Sequence, residues 1–213
     1  MIKSFTLGAI GSLISAVSIA LIFIINFFSF VIPILVTSDS FPYFYNVIIV
    51  PLFPILIGVG MLLASFGYRD IKNRYGLLFG NVGFAFGVIA SVFVFFTGIF
   101  GLITPYYILL LFPSPLLYSI VSWVSLLNGV VFGLTCVVWG IAHFKFKGLC
   151  KKPKLGLVAS GFFVASGVVI LSIYYVDVGL VISIASLLFA SIVFLNESPE
   201  INHKPEFSNN MKL

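Results

Sequence analysis

The chain has 213 residues, of which 61% are hydrophobic and only 8% are charged. A soluble domain carries roughly a quarter charged residues, so this composition excludes an ordinary water-soluble protein. The net charge of +5 does not indicate nucleic-acid binding, because the basic residues stand in short stretches between apolar runs, as in membrane-protein loops. We therefore expect the lipid bilayer, and no nucleic acid, as the partner of most of the surface.

Six apolar stretches follow one another along the chain, and each is long enough to cross the hydrocarbon layer as a helix. They cover about residues 5–30, 46–66, 76–103, 116–141, 155–175 and 178–195. The predicted fold class is an all-α, polytopic membrane bundle of six transmembrane helices. Residues 1–195 are its single transmembrane domain, and the polar segment 196–213 is predicted to be a disordered cytoplasmic tail.

The eleven Lys and Arg residues test this partition, because short basic loops stay in the cytoplasm. They fall before the first stretch, in alternate connections, or in the tail: Lys3, Arg69, Lys72, Arg74, Lys145, Lys147, Lys151, Lys152, Lys154, Lys204 and Lys212. This alternation predicts an even number of spans with both termini in the cytoplasm. The composition is similar to that of many prokaryotic multi-span proteins, so we expect a prokaryotic cell membrane.

Small residues recur at helical spacing in the third and fourth stretches, where they let two helix backbones approach closely. The predicted helix-packing positions are Gly76, Gly80, Gly83, Gly87, Ser125, Gly129 and Gly133. We favour contacts within one molecule, and homo-oligomer contacts are the alternative. On either interpretation, the substitution Gly129→Leu should disturb folding or assembly.

Two amides, Asn81 and Asn128, stand within these same stretches. A buried amide in lipid favours an interhelical partner, so they are predicted to pair helices, with each other or with serines. The alternative is that they line a path for a small neutral solute. We interpret His143, at the inner end of the fourth stretch, as an interfacial anchor. Since no ionisable residue stands at midspan, the sequence argues against proton-coupled transport.

The connection between the fourth and fifth stretches is rich in lysine. Such a cluster either only determines the topology or also contacts anionic lipid headgroups, at about 1 kcal/mol per charge near the surface. The candidate lipid-contacting residues are Lys145, Lys147, Lys151, Lys152 and Lys154.

An internal repeat appears when the sequence is shifted by 80 residues, which brings Gly76 onto Gly156 and Gly87 onto Gly167. Each unit would be a basic lead followed by two antiparallel helices, so the chain would contain three helical hairpins. Parallel repeats of this kind occur in transport proteins. Chance matching in low-complexity membrane sequence is the alternative.

The sequence shows no catalytic constellation, redox cysteine pair, phosphate loop or metal-ligand spacing, so we expect neither an enzyme nor a cofactor. The first functional hypothesis is a structural or accessory membrane protein, such as a subunit of a larger assembly with membrane-protein partners. The alternative is a small transporter or channel for a neutral or lipid-like solute. A bundle core packed solid, with no polar cavity, would remove the support for this alternative.

Overall fold

The computed structural model describes residues 4–31, 50–111, 115–172 and 176–197, with side chains for 4–25, 51–103, 119–120, 122–172 and 176–197. These described residues form six α-helices and no strand. The helices are α1 (Ser4–Val31), α2 (Val50–Tyr75), α3 (Leu78–Leu111), α4 (Pro115–Phe146), α5 (Pro153–Leu171) and α6 (Val176–Glu197). The predicted all-α class with six helices is confirmed.

Every helix contains a segment of 19 to 26 residues that is long and apolar enough to cross a membrane. Large apolar side chains also lie on the outside of the bundle, where Phe96, Val168 and Val181 are each more than half exposed. Soluble monomers rarely expose apolar surface on this scale, whereas lipid tails are themselves apolar. The chain is therefore a multi-pass integral membrane protein in a lipid bilayer.

The helices extend past the apolar stretches at several ends. Helix α2 continues from Phe66 to Tyr75, and α3 continues from Ile103 to Leu111. Helix α6 ends at Glu197, so the first two residues of the predicted tail are helical, and residues 198–213 lie outside the described residues. The apolar stretch marks only the part of a helix in contact with lipid, because backbone hydrogen bonding continues into polar sequence.

The six helices form a closed ring. Consecutive helices pack against each other, and α6 packs against α1. At the closure, the ring of Phe5 stacks on that of Phe194 with the centroids 5.8 Å apart. Neighbouring helices run antiparallel, as the contacts of Gly8 with Gly67 and of Gly11 with Gly60 show for α1 and α2.

The basic residues of the described chain all lie at one end of the ring, which we call the basic end. They are Arg69, Lys72, Arg74, Lys145, Lys147, Lys151, Lys152 and Lys154. The start of α1 and the end of α6 lie at the same end, because the helices alternate in direction. The cytoplasmic location of this end and the prokaryotic origin stay predictions.

Gly76 forms the turn between α2 and α3, and its predicted role in helix packing is wrong. Its φ of +70° is a left-handed conformation that favours glycine. Its N–H donates to the carbonyl oxygen of Lys72 over 2.8 Å, which is how such a glycine ends a helix. Helix α3 therefore begins only at Leu78.

The structure agrees with the internal repeat at one aligned pair of glycines and disagrees with it at another. Gly87 packs against α2, and its aligned counterpart Gly167 packs against α4, so each contacts the preceding helix. The aligned pair Gly76 and Gly156 differs, since the first lies in a turn and the second lies inside α5. The duplication therefore stays a prediction.

Candidate functional site

Four of the predicted packing glycines do lie at helix contacts within the molecule. A Cβ atom placed on Gly80 would lie 2.6 Å from the backbone nitrogen of Lys72. On Gly83 it would lie 3.1 Å from the ring of Tyr68, and on Gly87 2.7 Å from that of Trp139. On Gly133 it would lie 3.0 Å from the side chain of Leu171. These glycines let α3 approach α2 and α4, and let α4 approach α5.

The other two positions on α4 do not pack against a neighbouring helix. A Cβ atom on Gly129 would meet nothing within 4 Å in the described part of the chain. Ser125 is exposed, and both residues lie on the wall of a cavity. The favoured packing role within one molecule is therefore not seen for these two residues in the described part of the chain, and their contact with a second copy stays a prediction.

The cavity has a volume of about 190 Å³ and lies inside the ring. Its wall contains residues from all six helices, including Ile19, Ile57, Val94, Asn128, Ile170 and Leu180. Each stands roughly 15–18 residues, or about 25 Å of helix, from the basic end. We call it the central cavity; it occupies the half of the ring away from the basic end.

Asn128 places a polar group on this largely apolar wall. Its Oδ1 atom is buried and has no hydrogen-bond partner among the described residues. Ser125 contributes a hydroxyl to the same wall. A buried carbonyl oxygen left unsatisfied costs about 1–3 kcal/mol, so a bound molecule that donates a hydrogen bond would be stabilised there.

Asn81 does not belong to this site, and the predicted pairing of Asn81 with Asn128 is wrong. Hydrogen bonds from Thr135 to the carbonyl of Phe86 and from Trp139 to that of Gly83 fix the antiparallel register of α3 and α4. In this register, Asn128 is level with Val94, roughly 13 residues or about 20 Å along α3 from Asn81. Asn81 is half-buried near the basic end.

Between the central cavity and the basic end, aromatic rings fill the interior of the ring. We call this cluster the aromatic seal; each of its side chains is at most 1% exposed, and its members are Phe5, Tyr68, Trp139, Phe146, Phe163 and Phe194. Tyr68 and Trp139 stack across the ring with their centroids 4.7 Å apart. The indole N–H of Trp139 donates to the carbonyl of Gly83 over 2.8 Å, which ties α3 to the seal.

His143 lies inside the aromatic seal. Its ring centroid is 5.4 Å from that of Tyr68, 5.5 Å from that of Phe194 and 5.7 Å from that of Phe163. The side chain is 0% exposed, and neither ring nitrogen has a hydrogen-bond partner among the described residues. The interpretation of His143 as an interfacial anchor is therefore wrong. An ionisable side chain does lie buried within the bundle, so the sequence-based argument against proton-coupled transport loses its ground.

Sequence reasoning missed the seal, although α4 contained a signal for it. Five of the buried residues on α4 recur at alternating intervals of four and three, which places them on one helix face. They are Phe132, Cys136, Trp139, His143 and Phe146. A histidine within such a series is predicted to face the interior of the bundle even though it stands close to the end of the helix.

A buried carboxylate at the basic end joins the end of α6 to its neighbours by hydrogen bonds. Glu197, 4% exposed, accepts hydrogen bonds from the hydroxyl of Tyr75 over 2.8 Å and from the backbone N–H of Lys151 over 2.6 Å. These contacts tie the end of α6 to α2 and to the loop before α5. In this loop Cys150 is also buried, and burial raises the pKa of its thiol.

Five lysines lie in this loop and at the adjoining ends of α4 and α5. Lys147 is half-buried, with its Nζ atom 3.8 Å from the centroid of the Phe144 ring. The other four are exposed, namely Lys145, Lys151, Lys152 and Lys154. The predicted contact of these five lysines with anionic headgroups stays a prediction.

The described residues contain no group of three His, Cys, Asp or Glu side chains that could hold a metal ion. Comparison with known proteins found no matching family model, no similar curated protein and no similar solved structure. The central cavity, with one acceptor on an apolar wall, and the aromatic seal below it are thus the features from which a function can be argued.

Proposed function

We propose that the chain is a small membrane transporter that binds a neutral, amphipathic solute in its central cavity. The buried Oδ1 atom of Asn128, which has no partner among the described residues, carries this proposal. It lies on the wall of a cavity that residues from all six helices line. A core packed solid would have removed the support for such a function, and the cavity supports it instead.

The wall of the cavity defines the class of solute. Apart from Asn128 and Ser125, its described lining side chains are apolar, and none of them is charged. The solute is therefore neutral, with an apolar body and one hydrogen-bond donor for Asn128. A dry cavity of about 150 Å³ is known to hold benzene, so about 190 Å³ suits a molecule of one ring or a compact part of a lipid-like molecule.

The two halves of the ring suit a transporter that is closed on one side. The cavity lies in one half, while the aromatic seal fills the other. We assign the basic end to the cytoplasm on the positive-inside rule, so the solute site lies in the outer half of the membrane. The proposed role is non-enzymatic and needs no cofactor.

The binding step is tested with two probes of similar size, cyclohexanol and methylcyclohexane, because only the first donates a hydrogen bond. The full chain in lipid nanodiscs should bind cyclohexanol more tightly, measured by ligand-observed NMR against empty nanodiscs. Asn128→Leu should abolish this preference, whereas Gly161→Ala, on the lipid-facing side of α5, should preserve it. Equal affinity for the two probes in the unmodified chain would refute the proposal.

A second candidate function, a subunit of a larger membrane assembly, is favoured by a groove on the outer face of α5. The groove has a volume of about 330 Å³ and is lined by Val158, Gly161, Phe162 and Ala165. Gly161 and Ala165 stand four residues apart and are both exposed, an arrangement that lets a further helix approach closely. Cross-linking in native membranes should then capture a partner through α5, and Gly161→Leu should abolish the product. No product at this groove would exclude this function.

A further inference from the structure

In the described chain, few buried polar atoms lack a hydrogen-bond partner. Those that do lie at two heights along the axis of the ring. They are Oδ1 of Asn128, Oη of Tyr68, and Nδ1 and Nε2 of His143. The first lies on the wall of the central cavity, while the other three lie within the aromatic seal. The seal thus holds polar groups to which the described residues offer no hydrogen bond, which is unfavourable in a buried site.

The surroundings of His143 in this conformation disfavour a charged imidazole. From α2 it faces the titratable ring of Tyr68, and from α5 and α6 it faces the apolar rings of Phe163 and Phe194. The nearby carboxylates are engaged elsewhere, since Asp70 pairs with Arg74, and Glu197 accepts from Tyr75 and from the backbone of Lys151. No counter-charge from the described residues therefore reaches the histidine.

We propose that His143 is a proton-binding site, and that proton uptake there opens the aromatic seal and couples the proton to the solute bound at Asn128. The proton comes from the solvent and forms an N–H bond at the unprotonated ring nitrogen, and no other covalent bond changes. Histidine is the side chain whose charge ordinarily changes close to neutral pH. The coupling part of this inference rests on the proposed transport function, whereas the opening of the seal does not.

Solvation determines whether protonation of His143 opens or closes the aromatic seal. Removing a cation from water is strongly unfavourable, and the attraction of an imidazolium to the facing rings compensates for only part of that loss. The protonated form therefore favours a conformation in which the rings separate and water reaches His143. Because linkage is reciprocal, acidification populates the open seal, and opening the seal favours protonation.

Trp139 provides a probe of the seal within the chain itself. The chain has two tryptophans, so Trp123→Phe leaves Trp139, which stacks on Tyr68, as the only indole. In nanodiscs, acidification of this full-length variant should shift the emission of Trp139 to longer wavelength and increase its quenching by acrylamide. Both changes should be lost when His143→Phe is added, since phenylalanine keeps an aromatic ring in the seal but binds no proton.

The matched control is His203→Gln, which removes the other histidine of the sequence and should leave the acid transition unchanged. If His143→Phe does not give a monodisperse protein, His143→Gln replaces it. Glutamine also binds no proton over the pH range of the acid transition. An acid transition that persists without His143, or that is missing in the Trp123→Phe parent, would overturn the inference.

Coupling is measured separately from opening. Acidification should change the affinity for cyclohexanol in the unmodified chain and leave it unchanged in the His143 variant. Asn128→Leu should lose the preference for cyclohexanol and keep the acid transition of Trp139, so failure of the solute site and failure of the proton site are distinguishable. An affinity that is independent of pH in the unmodified chain would refute the coupling.

Discussion

The substitution Gly87→Ala tests whether close helix contact at the aromatic seal stabilises the ring. The new Cβ atom would lie 2.7 Å from Cζ2 of Trp139 and would also meet the hydroxyl of Ser65. Carbon atoms pack best at about 3.5–4.0 Å, so the overlap with the indole is about 1 Å. The indole cannot easily move away, because it stacks on Tyr68 and its N–H donates to the carbonyl of Gly83.

The expected size of the effect combines two opposing contributions. Overpacking a tight site typically costs about 1–3 kcal/mol. Replacing glycine with alanine inside a helix contributes about 1 kcal/mol in the stabilising direction. Gly161→Ala is the matched control, because it has the same helix-forming benefit and its Cβ atom meets nothing within 4 Å in the described part of the chain. The two variants should therefore differ by about 1–3 kcal/mol in free energy of unfolding.

The measurement is reversible unfolding of the full chain in mixed micelles with increasing denaturing detergent. Gly87→Ala should unfold at a lower detergent fraction than Gly161→Ala. If Gly87→Ala were as stable as the control, the contact between α3 and the seal would be looser than the structure shows, and the packing argument would be refuted.

Three further predictions address the cavity, the basic end and the orientation. Gly129→Leu should fold normally and lose cyclohexanol binding, since its side chain enters the central cavity; a failure to fold would instead restore its role in packing. Glu197→Ala should destabilise the chain by about 2–4 kcal/mol, because it removes two buried hydrogen bonds from a carboxylate. It should also speed maleimide labelling of Cys150, whose pKa is raised by burial, and an unchanged labelling rate would contradict this. Cysteines introduced separately at Lys72 and Lys152 should react with an impermeant reagent from the same face of the membrane, and reaction from opposite faces would contradict the topology.

The fold class was predictable because lipid imposes the same requirement on every helix that crosses it. Each span must be apolar over its length whatever it packs against, and the basic loops alternate whatever the fold inside the membrane. Both properties are readable from local sequence. The closure of the ring was not predictable in this way, because the contact of Phe5 with Phe194 joins residues from opposite ends of the chain.

The candidate site was predictable only in part. Asn128 stood out as a polar group within an apolar stretch, but nothing in the sequence distinguishes a glycine at a helix contact from one on a cavity wall. Gly87 and Gly129 have similar surroundings in sequence and opposite ones in space. His143 was misplaced because its distance from the helix end was given more weight than its spacing from Trp139. Glu197 was assigned to the tail because it begins a polar segment, whereas two hydrogen bonds hold it in a buried position.

The contact between the first and last helices bears on how the chain can be connected. Phe5 and Phe194 stack, so the beginning of α1 and the end of α6 stand side by side at the basic end. A short linker joining them would make the backbone continuous around the ring, and the two-residue turn at Gly76 would then serve as a new pair of termini. Such a circular permutant should keep all six contacts between neighbouring helices, since the ring contains the pair of α1 and α6 as well as the five consecutive pairs.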